Sequence, residues 1–499
     1  MRDVDLGDGP TGAEGSTGTM EPARWSRAAR RFLLWAVPAV VVAVVAAQLY
    51  LDDQARRHVS ELQQDPGVLR SVDPPLRVAG TYPAGLWAPL VSGVHAGALR
   101  AGPASPEQSP GATSSRDLVA VDPRTGRVAW RVPVDGPDAP VPSLASPVTS
   151  PALVACFGLG DPATRMLCHV RPGGTPVLVA GAAGSPAPGG PASLPATDAG
   201  AVQLLVRTAD GRVEAARQVP RRSTARMLDG VLVTTWFADD GRLHARASDP
   251  VTDATRWSFV EDGAGLAPAA GDASVPTVLP SGHRILLSTG SRAWLLDRDG
   301  SASTPVSPLN LRPIRGDRLA RVGASTQILA DDGRVVSETR GAPADATVDD
   351  GSVPGMVFVS GGSVEHPGTT VLTAVDASTG RVAWQSRVPA TGPLILLDSA
   401  LYSVGDGVVW SVDARTGKSR WRTPLGAQDG AGGLVSLLTD ARNILLALPD
   451  NGSAGSLVAF DMSDGRRAWA TPLPEGVVQL VAADGRIFAP RDDDVLTLG

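Results

Sequence analysis

Two cysteines, six histidines and a few clustered carboxylates are the residues of this chain whose types suit redox, metal or acid–base chemistry. Cys156 and Cys168 lie on ALVACFGL and RMLCHV, which read as two strands joined by a short loop carrying Gly158, Gly160 and Pro162. Neighbouring antiparallel strands bring Cβ atoms within bridging range. The pair is therefore either a disulfide, favoured outside the cytosol, or two buried thiols. Two cysteines exclude a four-cysteine zinc site, an iron–sulfur cluster and a disulfide scaffold. His58, His95, His169, His244, His283 and His366 are scattered, with no i, i+4 pair and no His-Glu-x-x-His, so strand or surface positions suit them better than a metal centre. Asp239-Asp240-Gly241, Asp331-Asp332-Gly333 and Asp349-Asp350-Gly351 lack the alternating carboxylates of a calcium loop and read as turns between strands. Asp492-Asp493-Asp494 and the sequon Asn451-Gly452-Ser453 read as turns as well. Gly417-Lys418-Ser419 is similar to the end of a phosphate-binding loop, but Val412 stands where that loop needs glycine. No residue is assigned to catalysis, cofactor binding or metal binding.

The elements that must position these groups come from an internal repeat. VAVDPRTGRVAWR from Val119, TAVDASTGRVAWQ from Thr373, WSVDARTGKSRWR from Trp410 and VAFDMSDGRRAWA from Val458 align without gaps, and RASDPVTDATRWS from Arg246 is a worn copy. In all five an aspartate precedes a tryptophan by eight residues: Asp122 and Trp130, Asp249 and Trp257, Asp376 and Trp384, Asp413 and Trp421, Asp461 and Trp469. Each copy reads as a β-hairpin. The aspartate accepts from turn amides two or three residues on, and Gly126, Gly380, Gly417 and Gly465 take the positive φ of the turn. A buried indole needs a large apolar site and an acceptor for its N–H, which suits a seam between sheets.

The pattern A-x-D-x-x-T-G-x-x-x-W resembles the tryptophan-docking repeat of the quinoprotein, PQQ-like β-propellers. Ala120 to Trp130 and Ala374 to Trp384 match it at every fixed position. Asp413 to Trp421 loses only the leading alanine, and Ala459 to Trp469 has Asp464 for the threonine. The resemblance implies an all-β propeller over residues 75–499, each hairpin forming the outer strands of a four-stranded blade. Asp122 to Asp249 and Asp249 to Asp376 both span 127 residues, which reads as three units of about 42 each. Degenerate units are placed at Met166 to Val170, Leu204 to Val213, Trp294 to Asp297 and Ile328 to Val335. Three strands follow Trp469, at Val477 to Val481, Arg486 to Ala489 and Val495 to Leu498, and Leu76 to Ala79 is expected to supply the fourth and close the ring. The expected count is eight blades, with seven as the alternative. Residues 101–115 and 184–196 are low-complexity loops within it. PQQ-dependent alcohol dehydrogenases of this family carry two adjacent bridged cysteines, a calcium-binding Glu and Asn, and a catalytic Asp. Cys156 and Cys168 stand twelve apart, so that signature is absent.

Composition agrees with a turn-rich β protein. Gly and Pro make up about a fifth of 499 residues, and charged residues only 19%. The single lysine among 45 basic residues points to a GC-rich, bacterial genome. A net charge of −6 without a basic stripe excludes nucleic acid as a partner. Residues 32–51 form twenty uncharged residues, long enough for a single transmembrane helix. Arg24, Arg27, Arg30 and Arg31 before it and Asp52 and Asp53 after it place residues 1–31 in the cytoplasm as a disordered tail and the remainder outside. The rival is a signal peptide cleaved after Val45 and Ala47. Residues 52–74 form a juxtamembrane stalk, with Leu51, Ala55, Val59 and Leu62 on one helical face and a break at Asp65-Pro66-Gly67.

The function expected from this reading is a non-enzymatic binding or scaffold module at the cell envelope, without cofactor, held by one membrane helix and meeting a protein partner there. Noncatalytic members of the resembled family include the propeller lipoprotein of the outer-membrane assembly machinery, but no lipid-attachment cysteine follows the apolar segment here. The alternative is a small-ligand sensor or degenerate quinoprotein binding PQQ in the central channel.

Overall fold

The computed structural model describes most of residues 53–104, 116–134, 154–170, 201–261, 276–301, 310–362, 370–426, 436–448 and 455–499, apart from isolated positions within them, together with Gln48 and Tyr50. The chain divides into a unit Met1–Ser60 and a unit Glu61–Gly499. In the first, residues 56–60 are helical and Arg57 pairs with Asp53 one turn back, at 2.7 Å. The expected transmembrane segment 32–51 and the cytoplasmic tail 1–31 lie outside the described residues but for Gln48 and Tyr50. Among the described residues no helix is long and apolar enough to cross a membrane.

The second unit is a β-propeller of nine sheets. In chain order the blades span residues 94–134, 154–219, 224–260, 277–296, 311–340, 342–343 with 356–388, 346–349 with 394–424, 436–472, and 481–498 with 78–83. The ninth blade closes the ring. Its outer strand, Val78–Pro83, comes from the N-terminal side and pairs antiparallel with Asp494–Leu498, Tyr82 opposite Val495. This closure was expected from Leu76 to Ala79, and the strand forms two residues further on.

The count of eight is corrected to nine: the motif hairpins account for the first, third, sixth, seventh and eighth blades, and the second, fourth, fifth and closing blades make up the rest. The expected units at Met166 to Val170 and Leu204 to Val213 are strands of one sheet, the second blade, so the first 127-residue interval holds one intervening blade, swollen by the insertions around 135–153 and 171–200. The second interval holds two. Equal spacing concealed unequal contents. The four-stranded rule also has exceptions among the described residues. The fourth blade has three strands, and the seventh has a fifth, Ala346–Asp349, added parallel to Leu394–Leu397 on the inner edge. Arg315 holds this added strand, donating Nη2 to Asp349 Oδ1 at 3.0 Å and Nη1 to the Met356 carbonyl at 2.8 Å.

The expected loop from residue 101 begins later, because Ala101 is buried in the strand Leu99–Pro103; the rest of 101–115, apart from Ala104, and all of 184–196 lie outside the described residues. The break at Asp65 is seen: helix ends at Leu62, and the Asp65 carboxylate accepts from the Gly67 amide at 2.8 Å. Beyond it the chain becomes a strap across the eighth and ninth blades. Leu69 N–H donates to the Thr439 carbonyl at 2.8 Å, Arg70 N–H to Gly485 at 2.9 Å, and the Gln63 side-chain amide to the Asp440 carbonyl at 3.0 Å. Leu69 and Val72 enter the core shared by those blades, beside Leu438, Leu445 and Leu480.

Candidate functional site

Each motif hairpin builds the same local geometry. Trp130 faces Ala120 across the hairpin, Trp257 faces Ala247, Trp384 faces Ala374 and Trp469 faces Ala459, with Ser411 opposite Trp421. The leading alanine of the repeat thus leaves room beside the indole, and a register shift follows directly in every copy. The turn before each tryptophan is tied by its aspartate. Asp376 Oδ1 accepts from Ser378 N–H and Thr379 N–H at 2.9 and 2.8 Å and from both hydroxyls at 2.6 and 3.0 Å. Asp122, Asp249, Asp413 and Asp461 accept from their own turns in the same way.

These bonds favour the ionised carboxylate. The Arg124 amide holds Asp122 below its ordinary value, the Thr252 amide does so for Asp249, and the Ser378 hydroxyl with the Thr379 amide lowers Asp376 to about 2. Because the folded-state value is depressed, the contribution of Asp376 is present above the ordinary 3.8 and is lost as pH falls through about 2. A carboxyl-carbon NMR titration should give a midpoint near 2; a midpoint at the unfolded value would mean that the turn bonds do not form in solution. The oxygens of the repeat aspartates serve their own hairpins.

The tryptophans dock onto the following blade. Trp130 lies on the turn glycine of the second blade, where a Cβ on Gly211 would stand 2.7 Å from the ring, and its indole N–H donates to the Thr208 carbonyl at 2.7 Å. Trp384 covers Gly417 and donates to Ala414 at 3.0 Å; Trp421 covers Gly465 and donates to Met462 at 2.9 Å; Trp257 covers Gly300. The turn glycine therefore serves two purposes: positive φ within its own hairpin and clearance for the indole of the preceding blade. Where the ring closes, Tyr82 substitutes for tryptophan: it covers Gly126 and its hydroxyl donates to the Pro123 carbonyl at 3.1 Å. Between the second and third blades Arg217 donates to the Pro250 carbonyl at 3.2 Å, and the glycine position is taken by Asp253 at φ 62°. Trp469 packs against the core shared by the eighth and ninth blades, which Leu69 and Val72 of the strap enter, since the ninth blade has no hairpin turn between its last two strands.

Cys156 and Cys168 form a disulfide between directly opposed residues, Cα–Cα 4.1 Å. Their strands pack with Leu118, Ala120 and Trp130 in the core joining the first and second blades. Replacing both cysteines by serine is expected to lower stability by at most about 3 kcal/mol, given the short closed loop; matched denaturant titrations of the two forms measure it. A bridge placed in this core is not the adjacent-cysteine arrangement of the PQQ enzymes. The inner edge of the seventh blade is occupied by Ala346–Asp349, and Asp349 is committed to Arg315. Among the described residues no group of three or more His, Cys, Asp or Glu is placed to hold a metal ion.

His169 is buried with Nε2 3.0 Å from the Ser223 carbonyl, His244 stacks on Trp236, and His95 lies 3.1 Å from Asp484; His283 and His366 are outside the described residues. Gly417-Lys418-Ser419 is a hairpin turn. Asp349 and Asp350 accept from Gly351 and Ser352 amides, which makes that pair a turn. Asp240, Asp331, Asp332, Asp492 and the sequon lie outside the described residues.

Sequence reasoning did not find the cavity of about 200 Å³ at the seam of the third and fourth blades. Leu228, Val231, Trp257, Pro280 and Ile285 give it an apolar floor, and Arg256, Arg284, Arg298 and Asp229 rim it. Arg298 pairs with Asp229 at 2.7 Å and Arg284 with Asp297 at 2.8 Å. Only Arg256 and Trp257 belong to a repeat copy, the worn one, on the strand Thr255–Val260; Arg284 opens the strand Arg284–Ser288 and Arg298 lies in a turn, outside any motif.

The docking hairpins and the nine sheets define a PQQ-like β-propeller. Residues 326–497, about a third of the chain, match the family described as outer membrane protein assembly factor BamB. Solved structures with a similar fold include BamB from Moraxella catarrhalis, with 19% identity over 61% of this chain and 92% of that one and a TM-score of 0.34. The quinohemoprotein alcohol dehydrogenase from Comamonas testosteroni shares 12% identity over 89% of this chain and 84% of that one, TM-score 0.36. No curated protein matches.

Proposed function

We propose that the chain is a non-enzymatic, membrane-anchored propeller that presents a rigid surface to a protein partner at the cell envelope. The observation that carries this reading is how the groups singled out for chemistry are used. The repeat aspartates spend their oxygens on their own turns, the cysteines are bonded to each other, and the tryptophans staple one blade to the next. What such a ring offers is shape and fixed surface groups. The uncharged stretch 32–51 serves as its anchor, with the propeller on the extracytoplasmic side. The matched family, described as an assembly factor for outer membrane proteins, is consistent with a role in contact with other envelope proteins. Fold alone does not fix a role. Cross-linking in intact membranes followed by identification of co-purified proteins tests the proposal: reproducible enrichment over a control bearing the same anchor supports it, and none removes it.

A further inference from the structure

The seam of the third and fourth blades differs from the other docked seams in its turn. Trp130, Trp384 and Trp421 are buried, and each gives its indole N–H to the carbonyl three residues before the glycine it covers, that of Thr208, Ala414 or Met462. Those carbonyls are open to the indole because the glycine amide bonds one residue further back, to Arg207, Asp413 or Asp461. The turn under Trp257 is one residue tighter. Gly300 N–H donates to the Asp297 carbonyl at 3.0 Å, so the carbonyl at the indole's place is used within the turn. Trp257 still covers Gly300 but stays half-buried, and among the described residues its N–H meets no acceptor. An indole nitrogen is a donor only, so it needs an acceptor that the fold does not supply.

Trp257 lines the cavity of about 200 Å³ with Leu228, Val231, Val233, Pro280 and Ile285. Drug-sized ligands take about 300–1,000 Å³, whereas an apolar cavity of about 150 Å³ holds benzene, so this one suits a single ring. Its rim is matched in charge. Arg298 pairs with Asp229 at 2.7 Å, Arg284 with Asp297 at 2.8 Å, and Arg256 faces Asp249 at 3.9 Å. A charged ligand would lose its water without a counter-ion to replace it, which selects a neutral one.

We propose that this cavity binds a small neutral molecule, one ring bearing a single carbonyl or hydroxyl oxygen, which accepts from the Trp257 N–H while the ring rests on Leu228, Val231 and Ile285. Trp257 belongs to the third blade and Ile285 to the fourth, so the ligand joins two blades and stabilises their seam by mass action. The site is separate from the surface offered to a protein partner: a failure to enrich partners would not touch it, and a failure to bind ligand would not touch the scaffold reading.

The test follows the fluorine NMR signal of 4-fluoroacetophenone with the full chain in detergent. Saturable broadening is expected, reversed by unlabelled acetophenone, with an affinity at least about fivefold higher than that of 4-fluorobenzoate, which has the same ring and a charge. Trp257→Phe keeps an aromatic wall and loses the N–H, and should weaken the ketone about fivefold. Val231→Phe, which fills the cavity, should abolish binding. Asp229→Asn removes one carboxylate from the rim; it should raise benzoate affinity about threefold and leave the ketone unchanged. All forms are compared in the same micelles, so partition of the probe into detergent is common to them. Equal binding of ketone and benzoate overturns the proposal, as does full ketone affinity in Trp257→Phe or broadening that unlabelled acetophenone does not reverse. Trp257→Phe keeps the test decisive if Val231→Phe fails to fold.

Discussion

Gly417→Ala should destabilise the propeller by about 3 kcal/mol, whereas Gly407→Ala in the same blade should cost only about 1 kcal/mol. The two glycines have nearly identical backbone angles, φ 70° and 68°, so the left-handed penalty of about 1–2 kcal/mol for a Cβ is common to both. They differ in surroundings. Nothing lies within 4 Å of a Cβ on Gly407, while one on Gly417 would meet three ring atoms of Trp384 at 2.5, 2.7 and 3.1 Å. Trp384 cannot simply withdraw, because its N–H is held by Ala414 and its ring lies in one core with Phe358, its ring centroid 6.1 Å away. Displacing it adds the cost of overpacking, typically about 1–3 kcal/mol. Urea midpoints of the two variants compare the effects directly, and equal shifts would show that docking onto the glycine adds nothing to stability.

The same contact explains how much of this molecule could be read from its sequence. A tryptophan and the glycine it covers lie in successive repeats, so both survive together: Trp130 with Gly211, Trp384 with Gly417, Trp421 with Gly465. Between the second and third blades the tryptophan and the glycine it would cover are lost together, whereas after the fifth blade Gly380 stays, a Cβ there meeting the Val336 carbonyl. In the second blade Ala215 stands at the tryptophan position with Leu205 opposite, the large and small residues exchanged, and the following turn carries Asp253 in place of glycine. The fifth blade repeats the exchange with Ser337 and Ile328. Packing volume across the hairpin is kept while the visible motif disappears, which is why these blades were placed by spacing alone and miscounted. Tyr82 is a further case. It takes the docking role at the closing seam from a strand with no repeat of its own, so no periodicity marks it. The seam pocket was illegible for a related reason: its arginines reach one rim from two strands and a turn, and only the folded ring makes them neighbours.

The boundary of the propeller yields the second large effect. Strand patterning puts its start at residue 75, but the strap before it belongs to the fold. A fragment of residues 61–499 should be more stable than one of 75–499 by about 3–6 kcal/mol. Leu69 and Val72 are 0% and 7% exposed, and fully burying such side chains contributes about 1.5–3 kcal/mol each. Cutting at 75 also bares part of the core that Leu69 and Val72 fill beside Leu438 and Leu480. The Asp440 carboxylate, which accepts from the Val72 amide at 3.4 Å, would still be held by the Arg442 and Asn443 amides, so the loss is chiefly apolar. A fragment of 84–499 should fare far worse. It lacks Val78–Pro83, so Asp494–Leu498 becomes an unpaired edge and Gly126 loses the cover of Tyr82, leaving the seam to Arg100 on Asp484, Arg486 on the Pro123 carbonyl and the core around Leu86 and Leu90. Guanidinium titrations of the first two fragments and the solubility of the third rank them. Equal midpoints for 61–499 and 75–499 would mean that the strap rests on the blades without stabilising them, and the segment would then be a linker between the N-terminal helix and a ring that closes without it.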